Sequence, residues 1–383
     1  MDKPTVQDIF HRFYPKYLDK YTPSSQQAKV AHCIINCKTG AYGANVSICE
    51  DCGQPEIHYN SCRNRCCPMC QALPKEKWMD KRREDVLDAP YFHVVFTVPQ
   101  ELNPLIYSNQ QVLYDALYHS VSATINELTT DSRHLGAKVG YICVLHTWGS
   151  EMNYHPHIHV ILLGGGLSSK NEWRDKGKDF FLPVKVLSKM FRSKYMDELK
   201  ALHKDNKLEF HGSSEKYRNH YTFKELLNTC YDKEWIPHCK KTFNGAQSVI
   251  NYLGKYTHRI AISNHRIIRM DEDTVTYYVK DYRKEGKWKE LTIPGVEFVR
   301  RFLMHVPPKR FVRIRHYGLL CTRSKNKHLT LCRNLLGCRK YISILKDMDA
   351  PQIIETLYGI KISVCKCCGG HLGKPQLHMP LRI

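Results

Sequence analysis

Residues 154–166, YHPHIHVILLGGG, place histidines at 155, 157 and 159 and then run through an apolar stretch into three glycines. In a strand, residues two apart share a face, so His157 and His159 look one way and Ile158 and Val160 the other, toward a core. Two imidazoles converging from one face are a common way to hold a divalent metal ion. The glycine run reads as a turn. With 21 histidines in the chain, the bland alternative is a pair of polar residues on a half-exposed strand.

The 17 cysteines offer a second chemistry. Cys49 and Cys52 form one CxxC, and Cys67 and Cys70 form another, with fourteen residues between the pairs. Two such knuckles suit a tetrahedral four-cysteine zinc site, because each spans one edge of the tetrahedron. Cys33, Cys37, Cys62 and Cys66 remain, with His32 and His58 close by, and could complete a second zinc site. Closed thiolate sites are structural. Their expected role is to fold a small domain whose Arg63, Arg65, Lys75 and Lys77 face DNA. Near the other end, CKCCGG (365–370) holds a lone CxxC, whose missing partners are sought among Cys321, Cys332 and Cys338.

A third group is nucleophilic. Tyr252 and Tyr256 lie four apart in GAQSVINYLGKYTH, which has helical periodicity, so they share one face. A phenol can attack a phosphodiester and leave a 5′-phosphotyrosine, and Lys255 and Arg259 beside it would favour phenolate. The chain holds 23 tyrosines, and YLDKYT at 17–22 nearly copies YLGKYT at 252–257. The local pattern therefore does not decide, and Tyr17 and Tyr21 read as helix-packing residues.

These groups need a scaffold and a partner. The chain carries 58 Lys and Arg against 37 Asp and Glu, a net charge of +21. Such an excess points to a polyanion, and nucleic acid is the usual one. No basic amphipathic helix favours a membrane surface, and no run of about 18 apolar residues spans one. The opening segment is too polar for a secretory signal, so a cytoplasmic protein with free thiols is expected, nucleoid-associated when acting. Two helices before residue 38 break at TPSS (22–25), and a charged helix leads out of the cysteine-dense stretch. YFHVVFTV (91–98) and KVGYICVLHTW (138–148) are strands, separated by a long helix. Residues 165–233 read as a polar insertion with two helical patches. The parts expected are 1–85, helical and zinc-binding; 86–265, catalytic; and 266–383, basic with the second cysteine cluster.

Taken together, the chain resembles the HUH endonuclease superfamily, and within it the two-tyrosine rolling-circle transposases of the insertion sequence ninety-one family, related to Helitrons. YNSCRNRCCPMCQ is similar to that family's zinc-binding module, LHTWG…HPHIHVILLGGGL to its metal motif, YLGKYTHRIAISNHRI to its tyrosine motif, and VEFVRRFLMHVPPKRFVRIRHYGLL to its basic segment. One departure is Cys66, where the family usually carries histidine; a zinc ligand tolerates that exchange. The resemblance implies an α+β core of antiparallel sheet flanked by helices. It also implies three ligands for a catalytic Mg2+ or Mn2+, with His157 and His159 as two of them. If the hairpin sets 146 against 157, His146 lies on their face about 5 Å away and is the preferred third. His155 is next, since Pro156 is expected to break the strand before the pair, and Glu151 in the connection is last. Tyr252 and Tyr256 would be alternating nucleophiles, with Tyr256 preferred because it borders Lys255. The implied activity is nicking and rejoining of single-stranded or hairpin DNA at element ends and of target DNA. One or two zinc ions would be structural. A replication-initiator or relaxase-type nickase is the nearest alternative, and a non-catalytic zinc-dependent DNA-binding regulator the more distant one.

Overall fold

The computed structural model describes residues 3–175, 182–235, 237–241, 248–250, 252, 254, 260–281 and 285–379. Two helices open the chain, α1 (Val6–Leu18) and α2 (Ser25–Ile35), each started by a capping box, Thr5 with Asp8 and Ser24 with Gln27. The break between them is the TPSS segment, which supplies the second cap. Strands β1 (Ala44–Ile48) and β2 (Pro55–Tyr59) follow, then α3 (Ala72–Arg83), β3 (Tyr91–Thr97), α4 (Asn103–Ser108) and α5 (Gln110–Thr130). The histidine hairpin is β4 (Lys138–Trp148) and β5 (Tyr154–Leu167), with β6 (Trp173–Asp175) beyond it. Next come α6 (Val184–Lys204), α7 (His220–Tyr231) and β7 (His238–Lys241); residues 248–250, 252 and 254 are helical. The remainder is β8 (Ile267–Met270), β9 (Thr274–Asp281), β10 (Lys287–Pro294), α8 (Gly295–Met304), β11 (Ile314–Gly318), α9 (Lys325–Leu336), α10 (Ala350–Tyr358) and β12 (Gln376–His378).

The central sheet is antiparallel, in the order β11-β4-β5-β3-β7, with β6 added on β5. Its strands are near-continuous apolar runs because both faces are covered. Phe92, Val94, Phe96, Cys143, Leu145, Ile158 and Val160 face α5, α6 and α7. Tyr91, Ile142, Val144, Ile161 and Leu163 face Met79 of α3, Val249 and Ile250 of the tyrosine segment, and Leu329 of α9. Residues 165–233 are more than a surface insertion: Leu187, Phe191, Tyr195 and Leu199 of α6 are buried in the first core. The glycine run is not a turn. Gly164, Gly165 and Gly166 lie within β5, where a Cβ on Gly165 would sit 2.4 Å from the Trp173 ring and one on Gly166 2.3 Å from the Lys138 carbonyl oxygen. Absence of side chains lets β6 and β4 close on β5 there.

A second core brings residues 6–70 together with Met152 and residues 260–306. Phe10, Phe13 and Tyr17 of α1 pack with Ile267, Tyr277, Phe298 and Phe302. Tyr17 is buried in this core, and the exposed Tyr21 stacks on it at 5.1 Å between ring centroids. The connection between β4 and β5 is clamped onto this lobe. Tyr277 Oη and Arg301 donate to the Glu151 carbonyl (3.1 and 3.0 Å), and Met152 is fully buried at φ +57°. His305 Nε2 donates to the Met152 carbonyl (3.0 Å) while its Nδ1 accepts from the Thr147 hydroxyl (3.1 Å). Among the described residues no helix is long and apolar enough to cross a membrane.

Candidate metal and nucleophile site

The hairpin register sets His146 opposite His157, with Val144 opposite His159. The pairing shifts between His146 and Trp148, and this bulge absorbs Pro156. A proline lacks the N–H that a ladder needs, and a bulge is one place a strand tolerates it. Pro156 therefore does not break the strand: β5 starts at Tyr154 and includes His155. One nitrogen each of His146, His157 and His159 lies within 4.8 Å of the other two. His155 and Glu151 stand outside this group. The Glu151 carboxylate lies 3.7 Å from Lys289 Nζ instead.

His157 Nδ1 donates to the His155 carbonyl (2.6 Å), which leaves the Nε2 lone pair free. That Nε2 lies 3.0 Å from His159 Nε2. Adjacent nitrogens of an octahedral ion at about 2.1 Å stand about 3.0 Å apart, against about 3.4 Å around a tetrahedral one. A separation of 3.0 Å is short enough for the two nitrogens to share one ion, and the donor set suits a divalent ion. Burial pushes His157 down to about 3 and holds His159 well below the usual imidazole range, with neighbouring imidazoles adding to the effect. Both rings are neutral and available as ligands near neutral pH.

The other edge of His159 meets the tyrosine. Tyr252 Oη lies 2.9 Å from His159 Nδ1 and 2.5 Å from His93 Nε2, and these two nitrogens are 2.8 Å apart. His93 comes from β3, where its neighbour Val95 pairs with His159, and His238 of β7 stands 6.4 Å from it between ring centroids. Burial, then the charge of His238, lowers His93 to about 4. Sequence reasoning missed His93 and His238. The available signal was a lone imidazole in the apolar run YFHVVFTV, a costly residue to bury without a partner. Tyr256, Lys255 and Arg259 lie outside the described residues.

The cysteines group differently from the expectation. Cys67 and Cys70 do not join Cys49 and Cys52; they meet Cys37 and Cys62, all four sulfurs within 4.8 Å. Cys62 and Cys70 sulfurs are 3.7 Å apart, close to the edge of about 3.8 Å that a zinc–thiolate tetrahedron requires. The Asn64 N–H points at Cys62 Sγ (3.4 Å), and the Gln71 amide donates to the Asn64 carbonyl (3.0 Å) across the turn. The donor set fits structural zinc. Cys66 is not in the group, nor is Cys33. Cys66 is buried beside the guanidinium groups of Arg313 and Arg65, outside the four-sulfur group, and burial pushes its thiol up to about 11. Cys49 and Cys52 meet Cys365 and Cys368, so Cys321, Cys332 and Cys338 are not the partners of the C-terminal knuckle.

The basic residues of this region divide. Arg63 is exposed, at φ +52°. Arg65, also exposed, donates to the carbonyls of Phe311 (2.5 Å) and Pro308 (3.2 Å) and so ties the cysteine module to the core. Lys77 donates to the Met348 carbonyl (2.7 Å), and Lys75 lies 3.3 Å from Glu76.

A thiolate module packed on a two-faced antiparallel sheet that carries clustered histidines is matched by two family models. "Transposase zinc-binding domain" covers residues 9–98, and "Putative transposase" covers residues 140–328. The matched models describe a transposase with a zinc-binding domain. The chain is 38% identical over 371 residues to "Putative transposase y4qJ" of Sinorhizobium fredii, covering 95% of this chain and 93% of that one. It is 26% identical over 299 residues to "Transposase for insertion sequence element IS801" of Pseudomonas savastanoi pv. phaseolicola, covering 77% and 70%. The chain belongs to the insertion sequence ninety-one family of transposases. No solved structure matches it.

Proposed function

We propose that this transposase is an HUH-type enzyme that nicks and rejoins single-stranded or hairpin DNA at the element ends, through a 5′-phosphotyrosine, in rolling-circle transposition. The observation that carries this reading is the placement of Tyr252 Oη 2.9 Å from Nδ1 of His159, a member of the His146, His157 and His159 group whose Nε2 lies 3.0 Å from His157 Nε2. Nucleophile and metal ligand are thus two edges of one ring.

His146, His157 and His159 would hold Mg2+ or Mn2+, which would supply positive charge to the scissile phosphate and to the departing 3′-oxygen. His159 would hold the ion through Nε2, so its Nδ1 would carry the proton and donate to Tyr252 Oη. The phenol O–H then donates to His93 Nε2, which accepts the proton as Oη attacks phosphorus. The Oη–P bond forms, the P–O3′ bond breaks, and the 3′-oxygen leaves to take up a proton. The covalent linkage conserves the energy for rejoining, so no nucleotide is consumed. Tyr252 and Tyr256 act in alternation, one holding the first 5′ end while the other cleaves the next junction. Structural zinc in the Cys37, Cys62, Cys67 and Cys70 group folds the domain that binds the element ends. The net charge of +21 supplies affinity for the phosphate backbone.

The test is incubation with single-stranded end DNA and Mg2+ or Mn2+, followed by a denaturing gel and mass spectrometry of the adduct. A nucleotide on Tyr252 or Tyr256, lost in Tyr252→Phe/Tyr256→Phe, is expected. Tight duplex binding with no adduct under any metal would overturn the reading in favour of a DNA-binding regulator.

A further inference from the structure

We propose that Cys49, Cys52, Cys365 and Cys368 hold a second structural zinc ion, which locks the segment around residues 361–379 onto the N-terminal zinc-binding domain. The match to that domain ends at residue 98, so two of the four ligands come from outside it.

The sulfur geometry is that of a metal site. All four sulfurs lie within 4.8 Å of one another, with Cys49 to Cys368 at 3.5 Å and Cys52 to Cys365 at 3.8 Å. A zinc–thiolate tetrahedron has edges of about 3.8 Å, whereas a disulfide brings its sulfurs to about 2.05 Å. The four are therefore spaced for a shared ion and not for pairwise oxidation.

The two halves are built alike. Each is a CxxCG knuckle whose glycine N–H donates back to the carbonyl of the first cysteine: Gly53 to Cys49 and Gly369 to Cys365, both at 3.0 Å. Both glycines take positive φ, +72° and +76°, which a side chain would strain. In the C-terminal half, the N–H groups of Cys367 and Gly370 point at the sulfurs of Cys365 and Cys368, each at 3.4 Å. Such outer contacts orient and stabilise metal-bound thiolates.

Burial supplies the energetic argument. Cys49, Cys365 and Leu372 form a cluster of their own, separate from the larger cores. Around it β12 adds to β1 (Ala44 opposite His378, Val46 opposite Gln376) and Cys49 bridges to Leu372. Three buried side chains cannot offset the conformational entropy of ordering so many residues, at about 1–2 kcal/mol each for the backbone. In modules this small, metal binding supplies the folding free energy. Four soft thiolates with no open position select Zn2+ in a closed, non-catalytic role.

The experiment is zinc stoichiometry of the full chain by plasma mass spectrometry after a mild chelator wash, with zinc-edge X-ray absorption on the same sample. It is done on His157→Ala/His159→Ala protein, so that zinc held by histidines is not counted. Two zinc ions per chain, each with about four sulfurs at about 2.3 Å, are expected. Cys365→Ser/Cys368→Ser should carry one, and Cys367→Ser, which alters the neighbouring exposed thiol, should keep two. One zinc in the unaltered-cysteine chain, a sulfur count clearly below four, or two zinc ions retained by Cys365→Ser/Cys368→Ser would each overturn the proposal. If the double variant does not fold, the stoichiometry and sulfur count of the parent chain still decide.

Discussion

Gly254 links the zinc-binding domain to the tyrosine segment, and replacing it tests whether that contact positions Tyr252, the proposed nucleophile. The glycine is buried two residues after Tyr252, against Met79 of α3. A Cβ there would lie 2.0 Å from Met79 Sδ and 2.9 Å from its Cε. Ordinary contact begins at 3.4 Å, so Gly254→Ala demands a retreat of about 1.4 Å. Met79 is only 8% exposed and packs in the same core as Ile250 and Leu163, so it cannot swing freely. Part of the retreat must fall on the tyrosine segment. Misplacing a reacting group by about 1 Å costs on the order of 10²-fold in rate. Gly254→Ala should therefore slow single-turnover adduct formation on single-stranded end DNA by about 10- to 100-fold, with DNA affinity unchanged. Met79→Ala removes the obstructing atoms at about 2–5 kcal/mol of stability. In the Gly254→Ala background it should nevertheless restore most of the rate. Full activity of Gly254→Ala, or a Met79→Ala/Gly254→Ala protein no faster than Gly254→Ala, would refute the positioning argument. Thermal melts of each variant separate this effect from unfolding.

Three further outcomes follow from the same structure. His157→Ala and His159→Ala should each abolish cleavage while binding to end DNA persists, since affinity comes from the basic surface; a filter-binding and cleavage pair of assays checks this, and normal cleavage by either variant removes the metal assignment. Asp80 is 3% exposed and accepts from Tyr341 Oη (2.6 Å), Ser343 Oγ (2.5 Å) and the Leu345 N–H (2.9 Å); although burial raises its pKa, these bonds outweigh it and lower the pKa overall. Asp80→Ala strands those donors and should cost about 2–4 kcal/mol in urea denaturation; a loss below about 0.5 kcal/mol would show that water replaces the carboxylate. His305 is buried and neutral, with burial lowering it from 6.5 to about 4 despite its bond to the Met152 carbonyl. The unfolded chain takes up that proton first, so the contribution is complete above about pH 6.5 and falls as pH drops toward 4, by up to about 3 kcal/mol. Stability of His305→Gln, which cannot titrate, should decline less over this window than that of the parent; equal slopes would exclude His305 as a source.

What was legible in the sequence is local. Alternation at 157 and 159 put two imidazoles on one face, because strand geometry has a period of two whatever the fold. The limits of β4 and the caps of α1 and α2 follow from residues within a few positions of each other. Each CxxC knuckle is likewise a local turn, readable from four or five residues. The glycine run and Pro156 misled for a complementary reason: both are turn or break signals in isolation, and neighbouring strands overrode them. Gly164–Gly166 is in a strand because Trp173 and Lys138 need the space, and Pro156 is tolerated because a bulge needs no N–H there.

Tertiary structure decided which local pieces meet. Nothing in the spacing of Cys49, Cys52, Cys67 and Cys70 says that the first pair closes with residues more than 300 positions away while the second closes with Cys37 and Cys62. A knuckle fixes one edge of a tetrahedron, and the opposite edge is whatever the chain brings to it. His93 reaches Tyr252 by the same logic, through the pairing of β3 with β5, across 159 positions of sequence. Periodicity and turn chemistry act over a few bonds and are written in the sequence directly. Metal shells and nucleophile contacts close over long loops, and packing of the sheet against its helices selects their partners.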